Sequence, residues 1–329
     1  LAVSAIIVTF HSDQVIDACL DALSTMAPEV IPIVLDNGSA MDHPGDTTVA
    51  HLRAKALQKP KIQWVENTEN RGFAGAVNQG VRLATAGVTA TPAGDDPDYF
   101  LILNPDANLT SPIQPLVDAA REHGIAAGRL TDAQGHTQAG FTIRRLPSAI
   151  TLCFEMFGLN RLWKSNPVNR RYRYLDRDLN QPGPVEQPAG AFLLVRSDVW
   201  QALGGFDEGF YPLWFEDVDF CRRAQAAGYR IEYLPSVTAN HAGGHSLVRL
   251  SFGRRAVYWC ASLLRYAAKS FKPAACRWLC VVVIVSSIPR MLVGMLGERN
   301  LKPVSAYLEI VRFASLCLLS PRRIVAGRA

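Results

Sequence analysis

The chain has 329 residues, 49% hydrophobic and 19% charged, which excludes a disordered or low-complexity protein and supplies enough apolar matter for a large core. Its net charge of +5 hides an asymmetry: residues 249–329 hold 14 Lys+Arg against 2 Asp+Glu, and residues 1–248 hold 20 against 27. A basic block of this kind seeks anions, of which nucleic acid and an anionic membrane surface are the usual two. The seven cysteines are scattered through apolar stretches without a CxxC, which speaks against a disulfide framework or a zinc site and for a reducing cytosol.

Leu1–Phe10 is apolar without a basic leader and reads as a first buried strand, not a signal peptide. Strands over Ala5–Thr9, Val30–Leu35 and Ile62–Val65 alternate with a helix over Asp13–Leu23, and a helix over Gly75–Thr85 precedes the apolar run Tyr99–Leu103. This is the alternation of a parallel, doubly wound α/β sheet. Residues 141–187, rich in Arg, Asn, Tyr and Pro, lose the pattern and read as a long, partly mobile insertion beside a site. Regularity returns with a strand at Gly190–Arg196, a helix with a Ser cap at Ser197–Leu203, a helix at Glu216–Ala227 closed by Gly228, and a strand at Arg230–Leu234. From about Gly253 the pattern is helical only: Val257–Lys269, Cys276–Leu296 and Pro303–Leu319. Trp278–Ile288 carries no charge, but Pro289 and Arg290 interrupt it before the roughly 20 residues a bilayer span needs. An interfacial or re-entrant helix is therefore expected ahead of a spanning one, with a buried helix hairpin close behind. The cations of this block alternate with Trp, Val, Ile and Leu, which favours a membrane surface over nucleic acid.

Four segments fall just past strand ends, where ligands bind in such sheets. Asp36-Asn37-Gly38-Ser39 offers a carboxylate for a base or ribose, and is also a plain turn signal. Asn70-Arg71-Gly72-Phe73-Ala74-Gly75-Ala76-Val77-Asn78 opens a helix with free N–H groups able to face a phosphate, and its glycine spacing fails the dinucleotide pattern GxGxxG. Leu103-Asn104-Pro105-Asp106 ends a strand in a carboxylate able to hold a hard divalent ion. Gly94-Asp95-Asp96-Pro97-Asp98 is richer in acid but precedes the strand, so it belongs to the opposite edge of the sheet. Finally, Trp214-Phe215-Glu216-Asp217-Val218-Asp219 starts a helix on carboxylates, and His241 follows a strand. Glu216 and Asp217 cannot share a helix face. Asp219 and Arg223 have the spacing of a surface ion pair, and His241 is open to core, cap or ligand duty.

In order, IIVTF, LDNGS, ENRGFAGAVNQG, LILNPDA, PAGAFLLVRSDVWQALGGFDEGF, WFEDVDFCRRAQAAGYRIEYLP and HAGGHS resemble the inverting family 2 glycosyltransferases of GT-A fold, in particular their bacterial rhamnosyltransferase-like branch. The resemblance covers residues 3–246. It implies a doubly wound mixed sheet binding a nucleotide sugar over residues 1–248, a helical C-terminal region over 249–329, and transfer of a sugar to an acceptor hydroxyl with inversion, helped by Mg²⁺ or Mn²⁺. By position it implies that Thr9 and Asp36 hold base and ribose, and that Asn70, Arg71, Gly72, Phe73, Ala76, Asn78 and Asn104 close on nucleotide and donor sugar. It further implies that Asp106 and His241 hold the metal, Asp217 is the base, and Trp214 and Glu216 meet the acceptor. The branch points to dTDP-rhamnose as donor, a glycan or lipid-linked acceptor in cell-surface polysaccharide assembly, and a cytoplasmic enzyme on the inner face of the membrane. His11, Ser12 and Arg71 depart from residues common in the family, and Asn104 and Pro105 replace the first part of an acidic DxD. A non-catalytic sugar-binding relative and a nucleotidyltransferase are the competing readings; the acid at Asp217 opposes the first, and the lack of a Gly-rich basic loop near the first strand opposes the second.

Overall fold

The computed structural model describes residues 2–86, 97–243, 250–321 and 324. The chain begins with β1 (Val3–Thr9), α1 (Ile16–Met26), β2 (Ile31–Asp36), α2 (Ser39–Asp42), α3 (Thr48–Gln58), β3 (Gln63–Glu66) and α4 (Gly72–Thr85). It continues through β4 (Tyr99–Leu103), β5 (Ala107–Leu109), α5 (Gln114–His123), β6 (Gly124–Thr131) and β7 (Ile143–Arg144). Three short helices follow, α6 (Ala149–Met156), α7 (Leu159–Leu162) and α8 (Pro167–Tyr172), then β8 (Gly183–Pro184), β9 (Gln187–Pro188) and β10 (Phe192–Arg196). The last elements are α9 (Ser197–Leu203), α10 (Glu216–Ala226), β11 (Arg230–His241), α11 (Phe252–Ser270), α12 (Pro273–Glu298) and α13 (Lys302–Leu319).

The main sheet has the order β3-β2-β1-β4-β10-β6-β11-β5, with β8 beside β11. Strands β1 to β4 are mutually parallel, β10 runs antiparallel to both β4 and β6, and β11 is parallel to β6. The sheet is thus mixed, and the continuous apolar runs of β1, β2 and β4 follow from cover on both faces. Ile7, Val34 and Leu101 face α1 and α5 through Leu20, Leu23 and Leu116. Ile6, Ile33 and Ile102 face α4, α9 and α10 through Val77, Trp200 and Phe220. With β10 reversed, the carboxyl ends of β1, β2, β4 and β11 and the amino end of β10 meet at one edge.

The segment expected to be an irregular, partly mobile insertion contains α6, α7, α8 and a two-stranded ribbon of β7 with β9. Ser197 is the first helical residue of α9 and not its cap; the cap position is Arg196, without a side-chain cap bond. Of the acid-rich stretch before β4, residues 94–96 lie outside the described residues, and Asp98 accepts from the Ala2 backbone at 2.9 Å.

The C-terminal helices form a third core that they share with the rest of the chain: Cys260, Leu263, Leu279, Val283 and Tyr307 pack with Leu152, Met156, Phe210, Phe215 and Val218. Pro289 does not interrupt the middle helix. α12 runs for 26 residues, long and apolar enough to cross a membrane by length and composition, with 39% of its apolar window buried inside the protein. A helix-interior proline costs about 3 kcal/mol, and packing against α6, α11 and α13 outweighs that here. Nor are all the cations of this region on the surface. Arg265 is buried and donates to both oxygens of Asp207, at 2.9 and 3.1 Å from Nη2, while Lys269 reaches Asp207 at 2.6 Å and Asp219 at 2.8 Å. Asp219, expected in a surface pair, bonds Arg223 at 2.8 Å as expected but is buried. The scattered cysteines also converge: the sulfurs of Cys276, Cys280 and Cys317 lie within 4.8 Å of one another in the α12–α13 contact.

Candidate active site

A cleft of about 610 Å³ opens at the meeting edge of the strands, lined by Phe10, His11, Asn37, Asn70, Phe73, Asn104, Asp106, Arg144, Trp214, Glu216, Asp217, His241 and Trp259 among others. One side of it rests on strand ends. Asp106 follows β4, and β5 pairs with the end of β11 so that Ala107 faces His241 in register. His241 Nε2 then lies 3.5 Å from Asp106 Oδ1. The second Asp106 oxygen accepts from the Gly243 N–H at 2.9 Å, and His241 Nδ1 meets Gln138 Oε1 at 3.1 Å. Burial pushes the imidazole below its usual pKa against the pull of Asp106, which favours the neutral form that ligates metals. His241 Nε2 is buried and has no hydrogen-bond partner. A buried imidazole nitrogen left unpaired beside a carboxylate fits a divalent ion held between them.

Thr9 and Asp36 stand differently from expectation. Both are fully buried, neither is a lining residue of the cleft, and their bonds turn inward: Asp36 accepts from Thr9 Oγ1 at 3.2 Å, Ser39 Oγ at 2.5 Å and the Ser39 N–H at 3.0 Å. They shape the turn that presents Asn37, whose amide bridges to Asn70 Oδ1 at 3.0 Å and accepts from the Arg71 N–H at 3.0 Å. Asn70 and Phe73 reach the cleft, whereas Arg71 is exposed and Ala76 is buried away from it. Gly72 has φ +73°, and a Cβ there would come within 2.9 Å of the Tyr211 ring, so the close approach of α4 to the 211–212 segment requires glycine. Asn78 serves the fold: it donates to the Phe206 carbonyl at 2.8 Å and accepts from the Phe206 N–H at 3.0 Å, fixing the Gly205–Glu208 loop.

The other side of the cleft is set by a tight turn. Trp214 and Phe215 both have left-handed backbones, φ 75° and 70°, and bulky residues hold that conformation only where the surroundings impose it. The turn starts α10 at Glu216 and brings Asp217 to the cleft. Asp217 Oδ2 accepts from the Gly190 N–H at 3.0 Å and Gln187 Nε2 at 3.1 Å, and Oδ1 from the Val218 N–H at 2.8 Å. A Cβ on Gly190 would stand 3.1 Å from that of Asp217, so the carboxylate lies close against the backbone that enters β10. Glu216 is buried with Oε2 unpartnered, and burial together with the Asp217 charge raises its pKa well above the carboxylate range. The α11 helix closes this side: Tyr258 and Trp259 line the cleft, and Ser262 Oγ donates to the Leu213 carbonyl at 3.0 Å. Sequence reasoning missed Phe141, Arg144, Gln187 and Trp259; the arginine-rich onset of the 141–187 segment was the available signal for the first two.

A mixed sheet of this order, with a carboxylate–histidine pair at the ends of adjacent strands and a second carboxylate facing the same cleft, fits the GT-A glycosyltransferase expected from the sequence. Residues 4–169, just over half of the chain, match the family model described as Glycosyl transferase family 2, and the chain belongs to that family. It is a nucleotide-sugar-dependent glycosyltransferase. It is similar to an N-acetylglucosaminyl-diphospho-decaprenol L-rhamnosyltransferase of Mycobacterium tuberculosis, 29% identical over 249 residues covering 74% of this chain and 76% of the relative. It is also similar to rhamnosyltransferase WbbL of Escherichia coli K12, 28% identical over 58% of this chain and 69% of the relative. Among solved structures, a mannosyltransferase from Pyrobaculum calidifontis with GDP-Man and Mn²⁺ aligns at TM-score 0.51, with 15% identity and coverage of 97% of this chain and 87% of that one. GalNAc-T7 with UDP, GalNAc and Mn²⁺ aligns at 0.52 with 12% identity over 80% of this chain and 51% of its own, so the chain spans about half the length of that transferase. These two support the fold.

Proposed function

We propose that the chain transfers rhamnose from dTDP-rhamnose to a hydroxyl of a glycan carried on a lipid diphosphate, as a step in cell-envelope polysaccharide assembly. The names of its sequence relatives support the sugar and the acceptor class. In this reading residues 1–248 are the catalytic domain and residues 249–329 the helical region that completes the acceptor side. The observation that carries it is the pairing, in one cleft, of the buried Asp106–His241 couple with Asp217.

Asp217 accepts the proton of the acceptor hydroxyl. The hydroxyl oxygen attacks the anomeric carbon from the face opposite the nucleotide, and the carbon–oxygen bond to the diphosphate breaks with its electron pair leaving on the phosphate oxygen. One displacement gives inversion without a protein nucleophile. The hydrogen bonds from Gly190 and Gln187 hold Asp217 in place through this step; a positioned base of this kind contributes about 10²–10⁴-fold. Asp106 and His241 would hold Mg²⁺ or Mn²⁺, which neutralises the departing diphosphate. Trp214 forms a wall for the acceptor sugar, and neutral, buried Glu216 braces the turn behind it.

The exposed face of α12, which includes Trp278, Val281, Val285, Ile288, Leu292 and Leu296, supports docking on the inner face of a membrane. Exposed Lys272, Arg277, Arg299 and Lys302 flank that stripe at its two ends, the arrangement of a helix lying in the interface. The test is an assay of dTDP-rhamnose, UDP-sugars and GDP-sugars against a synthetic sugar-diphospho-lipid acceptor, with Mn²⁺ and with chelator. Metal-dependent rhamnosylation is the expected result; transfer from a different donor sugar would replace the substrate assignment.

A further inference from the structure

Two arginines line the cleft, Arg144 and Arg173, and neither has a part in the steps above. Arg144 lies on β7 directly across from Gln187 on β9, so the ribbon that holds Asp217 through one strand carries a guanidinium on the other. Arg144 lines the cleft, and its Nε is buried without a hydrogen-bond partner. Its neighbours are committed. Arg145 bonds Asp176 at 3.0 Å, and Arg173 bonds Glu155 at 3.0 Å and Asn169 at 2.9 Å. The Phe141 ring touches both halves of the site: it stacks on His241 at 5.2 Å and 10°, and the Arg144 guanidinium carbon lies 5.8 Å from its centroid. Burial opposes the Arg144 charge, but Tyr172, Asp217 and Glu155 outweigh it and hold the pKa above the usual arginine value.

Resting on the reading of Asp217 as the base, we propose that Arg144 is a catalytic residue that binds a diphosphate in this cleft, donating through its unused Nε while Tyr172 engages the rest of the guanidinium. The reason is electrostatic as well as geometric. Asp217 lines the same space, as do Glu155, which Arg173 answers at 3.0 Å, and Asp106, where a metal would sit, and a diphosphate near Asp217 meets its repulsion unless a fixed cation offsets it. A guanidinium with a free donor suits phosphate oxygens, which accept charge-assisted N–H bonds. Two diphosphates can reach it, that of the nucleotide and that of a lipid-linked acceptor.

The test uses the full chain with Mn²⁺ and the variants Arg144→Gln and Arg144→Lys. Calorimetry with dTDP, UDP, their monophosphates and inorganic pyrophosphate reads the nucleotide arm. The KM for a sugar-diphospho-lipid, against that for the same sugar as a simple glycoside, reads the acceptor arm. Loss of one charge-assisted donor predicts at least about tenfold weaker diphosphate binding in Arg144→Gln, with Arg144→Lys intermediate and monophosphate binding within about threefold. That result in the nucleotide arm assigns the nucleotide diphosphate; an equal rise in KM confined to the diphosphate-linked acceptor assigns the lipid. Changes under about threefold in both arms overturn the proposal. So does an equal loss for mono- and diphosphates with a lowered melting temperature, the mark of an internal counter-ion for Asp217 and Glu155. The nucleotide titration needs no turnover, so a misassigned base, revealed by an active Asp217→Asn enzyme, leaves its outcome intact.

Discussion

The two sides of the cleft are built by opposite means. The donor side consists of short turns at the ends of β1, β2 and β4, where residues near in sequence do the positioning: Ser39 bonds Asp36, Asn70 bonds Gly72, and Asn104 and Asp106 lie within three residues of β4. The acceptor side is assembled from the β7–β9 ribbon, the 211–217 turn and α11, tied by contacts such as Gln187 to Asp217 and Ser262 to Leu213. On the proposed function, the nucleotide-sugar site rests on the sheet alone, while the acceptor half depends on the C-terminal helices staying docked.

Breaking that docking has the largest expected effect. Asp207 holds buried Arg265 and partly buried Lys269 together, and Asp207→Ala leaves both without it. Removing one partner of such a buried group is expected to cost about 3 kcal/mol, read by chemical denaturation, with acceptor turnover lost before nucleotide binding. Its pH dependence has a defined sign. Burial works against the Asp207 charge, but Lys269 and Arg265 outweigh it and lower the pKa from 3.8 to about 2. The folded value lies below the unfolded one, so this contribution is complete above about pH 4 and is lost as pH falls toward 2. A wild-type and Asp207→Ala difference in stability that persists unchanged at pH 2 would contradict the clamp.

A smaller effect sharpens the comparison within the acceptor side. Gln187→Ala removes one of the bonds that orient Asp217 and should lower kcat about tenfold, with nucleotide affinity unchanged. An altered nucleotide affinity would mean that the ribbon serves both sides. The smallest effect on stability is expected at the α12 stripe, where Ile288→Ser with Leu292→Ser should change folding by no more than about 0.5 kcal/mol per site. The same pair should weaken flotation with anionic vesicles. Flotation equal to wild type, or none for either protein, would rule out membrane docking through this stripe.

The contrast between the two sides also explains what is legible in the sequence. Tyr99–Leu103 and Ser197–Leu203 have the expected bounds as β4 and α9, Asp106 and His241 reach one cleft because strand ends mark ligand positions, and Asp217 joins them from the start of α10. β7 and β9 are two residues each and separated by more than forty positions, so no local periodicity announces them, and Arg144 and Gln187 stay hidden with them. The tryptophans of the basic block count toward a membrane surface in the sequence, yet one of them, Trp259, lines the cleft. Local propensity makes Pro289 a breaker, and tertiary packing overrides it. Arg265 and Lys269 count as surface charge in the sequence because nothing there reveals that Asp207 and Asp219 fold against them.

In the proposed reading Asp106 serves the donor and Asp217 the acceptor within one site, and a paired measurement tests this division most directly. Asp106→Ala and Asp217→Asn are assayed for transfer and titrated with nucleotide sugar in Mn²⁺ and in chelator. Asp217→Asn should lose at least about 10²-fold in transfer while binding the donor as wild type does. Asp106→Ala should lose transfer together with the metal-dependent part of donor binding. Donor affinity unchanged by Asp106→Ala in both conditions, or near-normal transfer by Asp217→Asn, would contradict the division.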